Sequence, residues 1–432
     1  MLRSSGLVAF ILVSASCSNQ LAGLISIRIE RVADAGIDAG LLDAGSTIDA
    51  GCTSTTLADC FGRSWQTATQ FGPWRLEVAD FNQDGIQDVV VGGQPCDEDD
   101  CTTNSNPRSG AQIFYGTADG SLQAGPFFSY PVFDDFSIVD IDGDGWPDLV
   151  FDDLEDEINQ HDGGFVQSFL QTSIPEIQAS LIYQIVRADL DRDGYPDLVV
   201  CAFDGLDLSF GGPKGYGSAV GEISSEQCWS MAVADLNSDG NLDLASFESS
   251  GYGTTTSWVS VRLGIGDGGF SSPVKYPVAA WSAYGALRAV DLNQDGLVDL
   301  VQGSAAGLTV LMNMGNGQFD AGLMVAVAAP TDAGQWLASQ LDIIDVNGDG
   351  FPDVLAADGF VVRGPDDPKG YDAFLFLNDG SGHLTPGQPV GTGLSNATAV
   401  AAWTPAGAQL PSLIVGDNTQ NAFIVLPNTG TW

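Results

Sequence analysis

The chain has 432 residues, with 56 acidic against 14 basic side chains and a formal net charge of −42. That charge repels a phosphate backbone and an anionic membrane surface alike, which excludes nucleic acid and electrostatic membrane binding. An apolar content of 44% is too high for disorder over most of the length, and 54 Gly with 20 Pro point to an all-β chain of short strands and many turns.

Residues 1–16 have the layout of an export signal. Arg3 supplies the positive start, Leu7 to Val13 the short apolar run, and Ser14, Ala15 and Ser16 the small residues before Cys17. The ending is similar to a bacterial lipoprotein signal, in which that cysteine becomes the lipidated first residue. Ser14 stands where such signals usually carry Leu. The expectation is an exported chain, held at the cell envelope or surface by a lipid on Cys17, with no other membrane contact.

Residues 17–59 include "DAG" four times, beginning at Asp34, Asp38, Asp43 and Asp49. The run has no packing period and reads as a flexible acidic tether. Beyond Cys17 lie Cys52, Cys60, Cys96, Cys101, Cys201 and Cys228. An even count in an exported chain implies disulfides. Pairing of sequence neighbours gives 52–60, 96–101 and 201–228.

Residues 60–432 repeat. A nonapeptide recurs as "DFNQDGIQD" from Asp80, "DIDGDGWPD" from Asp140, "DLDRDGYPD" from Asp189, "DLNSDGNLD" from Asp235, "DLNQDGLVD" from Asp291 and "DVNGDGFPD" from Asp345. A seventh copy, in "AAWTPAGAQLPSLIVG" from Ala401, has lost every carboxylate. A β-type stretch such as "LRAVD" precedes each copy, and an apolar run such as "DVVVGG" follows it. A further run such as "WVSVRLG" comes next, then often a Gly-rich turn and a last short strand. Four strands per unit at this spacing predict a seven-bladed β-propeller of four-stranded antiparallel blades. The last unit stops after its third strand, so the segment around Phe61 to Phe71 is expected to supply the fourth and close the ring.

The nonapeptide carries the chemistry. Its first, third, fifth and ninth positions are Asp, with Asn allowed at the third, and its sixth is Gly. Calcium takes six to eight hard oxygens in a forgiving geometry, which alternate acidic side chains on a tight turn supply. The seventh residue adds its carbonyl. A helix–loop–helix calcium hand would need Glu at position 12; Val91, Phe151, Val200, Ser246, Gln302 and Ala356 stand there instead. The expected ligands are therefore Asp80, Asn82, Asp84, Ile86 and Asp88; Asp140, Asp142, Asp144, Trp146 and Asp148; Asp189, Asp191, Asp193, Tyr195 and Asp197. The remaining loops offer Asp235, Asn237, Asp239, Asn241 and Asp243; Asp291, Asn293, Asp295, Leu297 and Asp299; Asp345, Asn347, Asp349, Phe351 and Asp353. Up to six structural calcium ions are expected, and none in the seventh loop.

This constellation resembles the FG-GAP/VCBS repeat family, the calcium-loop propellers of integrin α-chain heads and many bacterial surface proteins. The resemblance covers residues 61–432. It implies that each acidic loop joins the first two strands of a blade, and that a ligand is met on the opposite face. The connections expected between second and third strands on that face are "GQPCDEDDCTTNSNPRSG", "DDLEDEINQHDGG", "FDGLDLSFGGPKGYG", "SSGYGTTTS" and "DGFVVRGPDDPKGYD". Their acids, Asp97, Glu98, Asp99, Asp100, Asp152, Asp153, Glu155, Asp156 and Glu157, are an ordinary solvated charge run or a patch for a cation or basic partner. Tyr216, Tyr252 and Tyr371 offer aromatic contact.

No catalytic set emerges. His161 and His383 lie in different units, neither beside an obvious nucleophile, and basic residues are too few for an evident uronate-binding group. The leading expectation is a calcium-stabilised binding or adhesion propeller for a protein or glycan. A polysaccharide-active, lyase-like enzyme and a structural envelope scaffold are the alternatives.

Overall fold

The computed structural model describes residues 60–94, 109–130, 136–140, 144–151, 156–161, 164–168, 182–213, 221–251, 256–278, 285–304, 307–327, 338–358, 373–390, 397–417 and 420–430. The signal, Cys17, the tether, Cys52, Cys96 and Cys101 lie outside them, so the 52–60 and 96–101 pairings do too.

Among the described residues, twenty-eight strands form seven four-stranded antiparallel sheets. One strand, β1 (Trp65–Ala68), comes before the first complete blade. Blade 1 is β2 (Gly72–Ala79), β3 (Asp88–Gln94), β4 (Ser109–Gly116) and β5 (Leu122–Tyr130). Blade 2 is β6 (Phe136–Val139), β7 (Asp148–Phe151), β8 (Asp156–Asn159) and β9 (Phe165–Ser168). Blade 3 is β10 (Ile182–Ala188), β11 (Asp197–Ala202), β12 (Gly205–Ser209) and β13 (Gly221–Ser224). Blade 4 is β14 (Gln227–Ala234), β15 (Asp243–Ser249), β16 (Ser257–Arg262) and β17 (Val274–Val278). Blade 5 is β18 (Leu287–Val290), β19 (Asp299–Ser304), β20 (Gly307–Leu311) and β21 (Leu323–Ala326). Blade 6 is β22 (Ala338–Ile344), β23 (Asp353–Asp358), β24 (Phe374–Phe376) and β25 (Gln388–Pro389). Blade 7 is β26 (Ala397–Trp403), β27 (Ser412–Asp417) and β28 (Ala422–Leu426), completed by β1, which pairs antiparallel with β28. The ring thus closes as expected, and no edge of blade 7 is left where its fourth strand would be.

The middle strands read as continuous apolar runs because both of their faces are buried. In blade 6, Val354 and Ala356 pack with Val301 and Val310 of blade 5, while Leu355 and Ala357 pack with Val400 and Val415 of blade 7. Each such Val or Leu side chain contributes about 1.5–3 kcal/mol when fully buried. At the closure Trp403 and Phe423 of blade 7 meet Phe71 and Phe114 of blade 1, and Phe114 stands edge-on to Phe423 with ring centroids 5.0 Å apart. Cys201 on β11 and Cys228 on β14 form the expected disulfide, Cα–Cα 5.2 Å, which ties blade 3 to blade 4.

The first strands line the axis and are bonded from blade to blade. Ser137 donates to the Ile185 carbonyl at 2.6 Å, and Gln184 Oε1 accepts from the Ser230 hydroxyl and Met231 N–H. Ser230 Oγ accepts from Leu287 N–H, and Ala286 N–H donates to the Ala338 carbonyl. Asp342 Oδ2 accepts from Ala402 N–H, Thr398 donates to the Pro73 carbonyl, and the Arg75 guanidinium lies over the Phe136 ring. These strands enclose an axial cavity of about 630 Å³, lined in part by Arg75, Glu77, Arg288 and Asp342. Burial pushes the Asp342 carboxyl up to about 6.

Because successive strands run antiparallel, the connections alternate between two faces. Turns from first to second and from third to fourth strands share one face. Second-to-third connections and blade crossovers share the other.

Candidate metal loops

The six nonapeptides are the turns between first and second strands, and they close in one way. In loop 1 Asp80 accepts from Asp84 N–H and Gly85 N–H, at 3.2 and 2.9 Å. Asn82 Oδ1 accepts from Asp84 N–H, and Asp84 Oδ1 from Ile86 N–H. The pattern repeats at Asp189, Asp191 and Asp193 with Tyr195, at Asp235, Asn237 and Asp239 with Asn241, and at Asp291, Asn293 and Asp295 with Leu297. Loop 6 departs at one bond: Asp345 Oδ1 accepts from Gly348 N–H and not from Asp349 N–H, while Asp345 also accepts from Gly350 N–H, Asn347 from Asp349 N–H and Asp349 from Phe351 N–H. In loop 2 Asp140 and Asp144 make the same bonds to Asp144, Gly145 and Trp146 N–H; Asp142 lies outside the described residues. Position 6 sits at φ +84° to +91° in all six loops. At five of them a Cβ would meet nothing within 4 Å, so the left-handed backbone, and not space, demands glycine there.

Position 9 does more than the sequence reading gave it. Asp88, Asp148, Asp197, Asp243, Asp299 and Asp353 begin the second strands and are fully buried. In each case where both bonds are described, one oxygen accepts from the position-2 N–H and the other from an N–H at the end of the third strand. For Asp299 these are Leu292 and Asn313, at 3.0 and 2.7 Å; for Asp353 they are Val346 and Asn378. Asp88, Asp197 and Asp243 bond Phe81 and Gly116, Leu190 and Gly211, and Leu236 and Gly264. Burial raises these carboxyls, Asp88 and Asp299 to about 6 and Asp353 to about 7. The two N–H bonds act against the rise, and the acids at positions 1 and 5 add to it. Asp243 is raised for the same reasons, and Asp197 too, with the acids at positions 3 and 1 adding to it there. Asp239 is held low, first by Asn241 N–H, then by the Asn237 amide, and also by Arg192 of the preceding loop.

The donor set is all oxygen. In loop 3 one carboxylate oxygen each from Asp189, Asp191 and Asp197 lie within 4.8 Å of one another, a group able to hold a metal ion. Three negative groups so close, one of them buried, fit a hard cation that offsets their repulsion.

Two features escaped the sequence reading. At the end of the third strand, Asn159, Asn313, Asn378 and Asn428 each donate twice through Nδ2. One bond goes to the residue before position 9 of their own blade, the other to the position-2 carbonyl of the preceding blade: Phe81, Leu236, Leu292 and Val346. The remaining blades carry Gly116, Gly211 and Gly264 at this place, where a Cβ would lie 2.1–2.3 Å from a backbone carbonyl. The recurring "NxG" after the third run, as in "NMG", "NDG" and "NTG", was the available signal. The second feature is a left-handed residue at position 4, seen at Gln83, Arg192, Ser238, Gln294 and Gly348.

Four expectations change. Strand register pairs Trp403 with Ser412 as Ile344 pairs with Asp353, so the seventh loop runs from Thr404 to Ser412 and not from Ala401. The blade 3 connection between second and third strands is the two-residue turn Phe203-Asp204, because "GLDLS" is β12. Asp156 and Glu157 belong to β8, so the far-face acids shrink to Asp97–Asp100, Asp152, Asp153 and Glu155, which lie outside the described residues with Tyr216, Tyr252 and Tyr371. His383 does have a hydroxyl neighbour: its Nδ1 is 2.7 Å from Ser381 Oγ. That hydroxyl also donates to Asp379, and Asp119 receives the Thr117 and Ser121 hydroxyls in blade 1 with no histidine, so this is a turn design and not a nucleophile with its base. His161 lies on the metal-loop face, stacked on Trp146 and in contact with Asp144 Oδ2.

A family model described as an FG-GAP-like repeat matches residues 189–246 and 291–356, two stretches that each open on the first Asp of one loop and contain the whole of the next. No curated protein matches the chain in sequence. Among solved structures, one described as an Agrocybe aegerita lectin recognising non-reducing terminal N-acetylglucosamine is similar at 18% identity and a TM-score of 0.50, over 84% of this chain and 86% of that one. Another, described as BBS1N in complex with ARL6DN, is similar at 12% identity and a TM-score of 0.50, over 86% and 97%. Both likenesses are of fold alone. The chain is thus a seven-bladed β-propeller that carries FG-GAP-like repeats at residues 189–246 and 291–356.

Proposed function

We propose that the protein is a calcium-stabilised binding propeller, exported and anchored through Cys17, that offers the face opposite its acidic loops to a protein or glycan. The observation carrying this reading is the same oxygen-lined turn in six blades, all on one face. In each loop the side chains at positions 1, 3, 5 and 9 and the carbonyl at position 7 would hold the ion. Bound there, calcium supplies positive charge and oxygen coordination to a loop that otherwise keeps buried carboxylates close together. Six ions would move the formal net charge to about −30.

The loop in turn fixes the blade. Position 9 holds the ends of all three inner strands, and in blades 1, 4, 5 and 6 the position-2 carbonyl is clasped by the next blade's asparagine. That leaves one face uniform and committed to structure. The other receives connections that differ in length and content from blade to blade, the usual seat of recognition on a rigid scaffold. The likeness to a lectin makes glycans the first class to test. The full chain, with calcium and then with chelator, is applied to a glycan array that includes terminal N-acetylglucosamine, and to immobilised envelope proteins. Calcium-dependent retention of one class is the expected result; no retention of either class overturns the binding reading.

A further inference from the structure

The six acidic loops differ at position 4 in a regular way. Loops 1, 3 and 5 carry the long donors Gln83, Arg192 and Gln294, while loops 2, 4 and 6 carry the small Gly143, Ser238 and Gly348. The long residues are left-handed, at φ +51°, +63° and +58°, as is Ser238 of loop 4 at +61°, so what sets the odd loops apart is the length and donor chemistry of the side chain. The left-handed conformation is strained for a residue other than glycine and persists where the surroundings hold it.

Each long side chain reaches forward to the next loop. Gln83 Nε2 donates to the Gly145 carbonyl at 2.8 Å. Gln294 Nε2 donates to the Gly350 carbonyl. The Arg192 guanidinium comes so near Gly240 that a Cβ there would be 3.1 Å from Nη2, and its charge lies beside Asp239. All three targets are the position-6 glycine of the following loop. The peptide joining positions 6 and 7 is therefore held at both ends in loops 2 and 6: its oxygen by the preceding loop's glutamine, its N–H by position 5. That peptide leads directly into the residue whose carbonyl is expected on the ion. The donor itself sits between positions 3 and 5 of its own loop, so whatever orders the odd loop also sets the reach of its side chain.

We propose that the metal loops work as three coupled pairs, 1 with 2, 3 with 4 and 5 with 6, in which filling of the odd loop tightens ion binding in the even loop that follows. The inference rests on the calcium reading for its ion and on the position-4 contacts for its pairing. It also accounts for the seventh loop: six loops make three pairs, and the seventh, which carries no acid, is the one outside them.

The test uses the two neighbours of one loop as each other's control. In the full chain, Asp291→Ala removes a ligand from loop 5, and amide hydrogen exchange across a calcium titration reports loops 4 and 6 separately. The expected result is a midpoint for loop 6 raised about fivefold, with loop 4 unchanged. Equal shifts in loops 4 and 6, or none in either, overturn the pairing. A second arm needs no calcium. Gln294→Ala in chelator should speed exchange at Phe351 of loop 6 and leave Asn241 of loop 4 as it was; unchanged exchange at Phe351 overturns the pairing even if calcium binds. If neither loop responds to calcium in the unmutated protein while Gln294→Ala still loosens loop 6, the contact from loop 5 to loop 6 stands, but the calcium reading falls and the coupled filling falls with it.

Discussion

In blade 6 the turn between the first two strands is shut by Asp353, whose oxygens take the N–H groups of Val346 and Asn378. In blade 7 the same place is held by Ser412, also buried, and the loop contains no acid. The anchoring there comes from elsewhere. Trp403 Nε1 donates to the Gln87 carbonyl at 2.7 Å, and Thr404 N–H donates to the Gln87 side chain, so the seventh loop leans on blade 1. Blade 7 keeps the asparagine clasp, since Asn428 donates to Val346 and Pro411 as Asn378 donates to Leu292 and Pro352. It is also the blade completed by β1. The contrast separates two jobs that the other six loops merge. Joining two strands needs a turn and a clasp. Holding several carboxylates together needs a counter-ion.

The comparison is broken most severely by removing calcium. At a hundred times the dissociation constant each filled loop contributes about 2.7 kcal/mol, so stripping six loops should lower the melting temperature sharply. Scanning calorimetry with and without excess chelator checks it, and an unchanged melt would mean that the acidic loops stand without metal, as the seventh does. Next comes the buried acid itself. Asp299→Ala strands the N–H groups of Leu292 and Asn313 and should cost about 2–4 kcal/mol, whereas Ser412→Ala should cost about 1 kcal/mol or less. Denaturant titration of both variants in calcium reads the difference, and equal losses would remove position 9 as the distinguishing feature. The clasp is shared, so Asn378→Ala and Asn428→Ala should each cost about 1–2 kcal/mol, alike in blades with and without acids.

The last effect concerns pH. The carboxyls of Asp88, Asp299 and Asp353 have folded-state values of about 6 to 7, above their unfolded value near 4. The metal-free folded state therefore binds more protons than the unfolded one across this window. Its stability is fullest below about pH 4 from these groups and is lost as pH rises through 6 to 7. In chelator the melting temperature should fall from pH 5 to pH 7.5; in calcium that fall should vanish. The same slope in both conditions would argue that no ion answers the buried charge.

The repeat spacing, the fourfold run of strand-like segments and the truncated last unit were enough to read seven blades and a ring closed by the chain's own beginning. They suffice because each blade's middle strands are buried on both faces, which writes a recognisable apolar run into the local sequence. The ligand positions were legible for the same reason, since alternate acids on a tight turn are a local pattern. Sequence alone misplaced what depends on register: the start of the seventh loop, the blade 3 hairpin at Phe203-Asp204, and Glu157, which looked like loop and is buried strand. Nor could it show that Asp353 binds Asn378, that Asn378 reaches Leu292 in another blade, or that Gln83 and Gln294 reach the next loop. Those bonds join residues 25, 86, 62 and 56 positions apart. A local pattern records which groups a loop owns; only the packing of one blade against the next decides which groups it is lent.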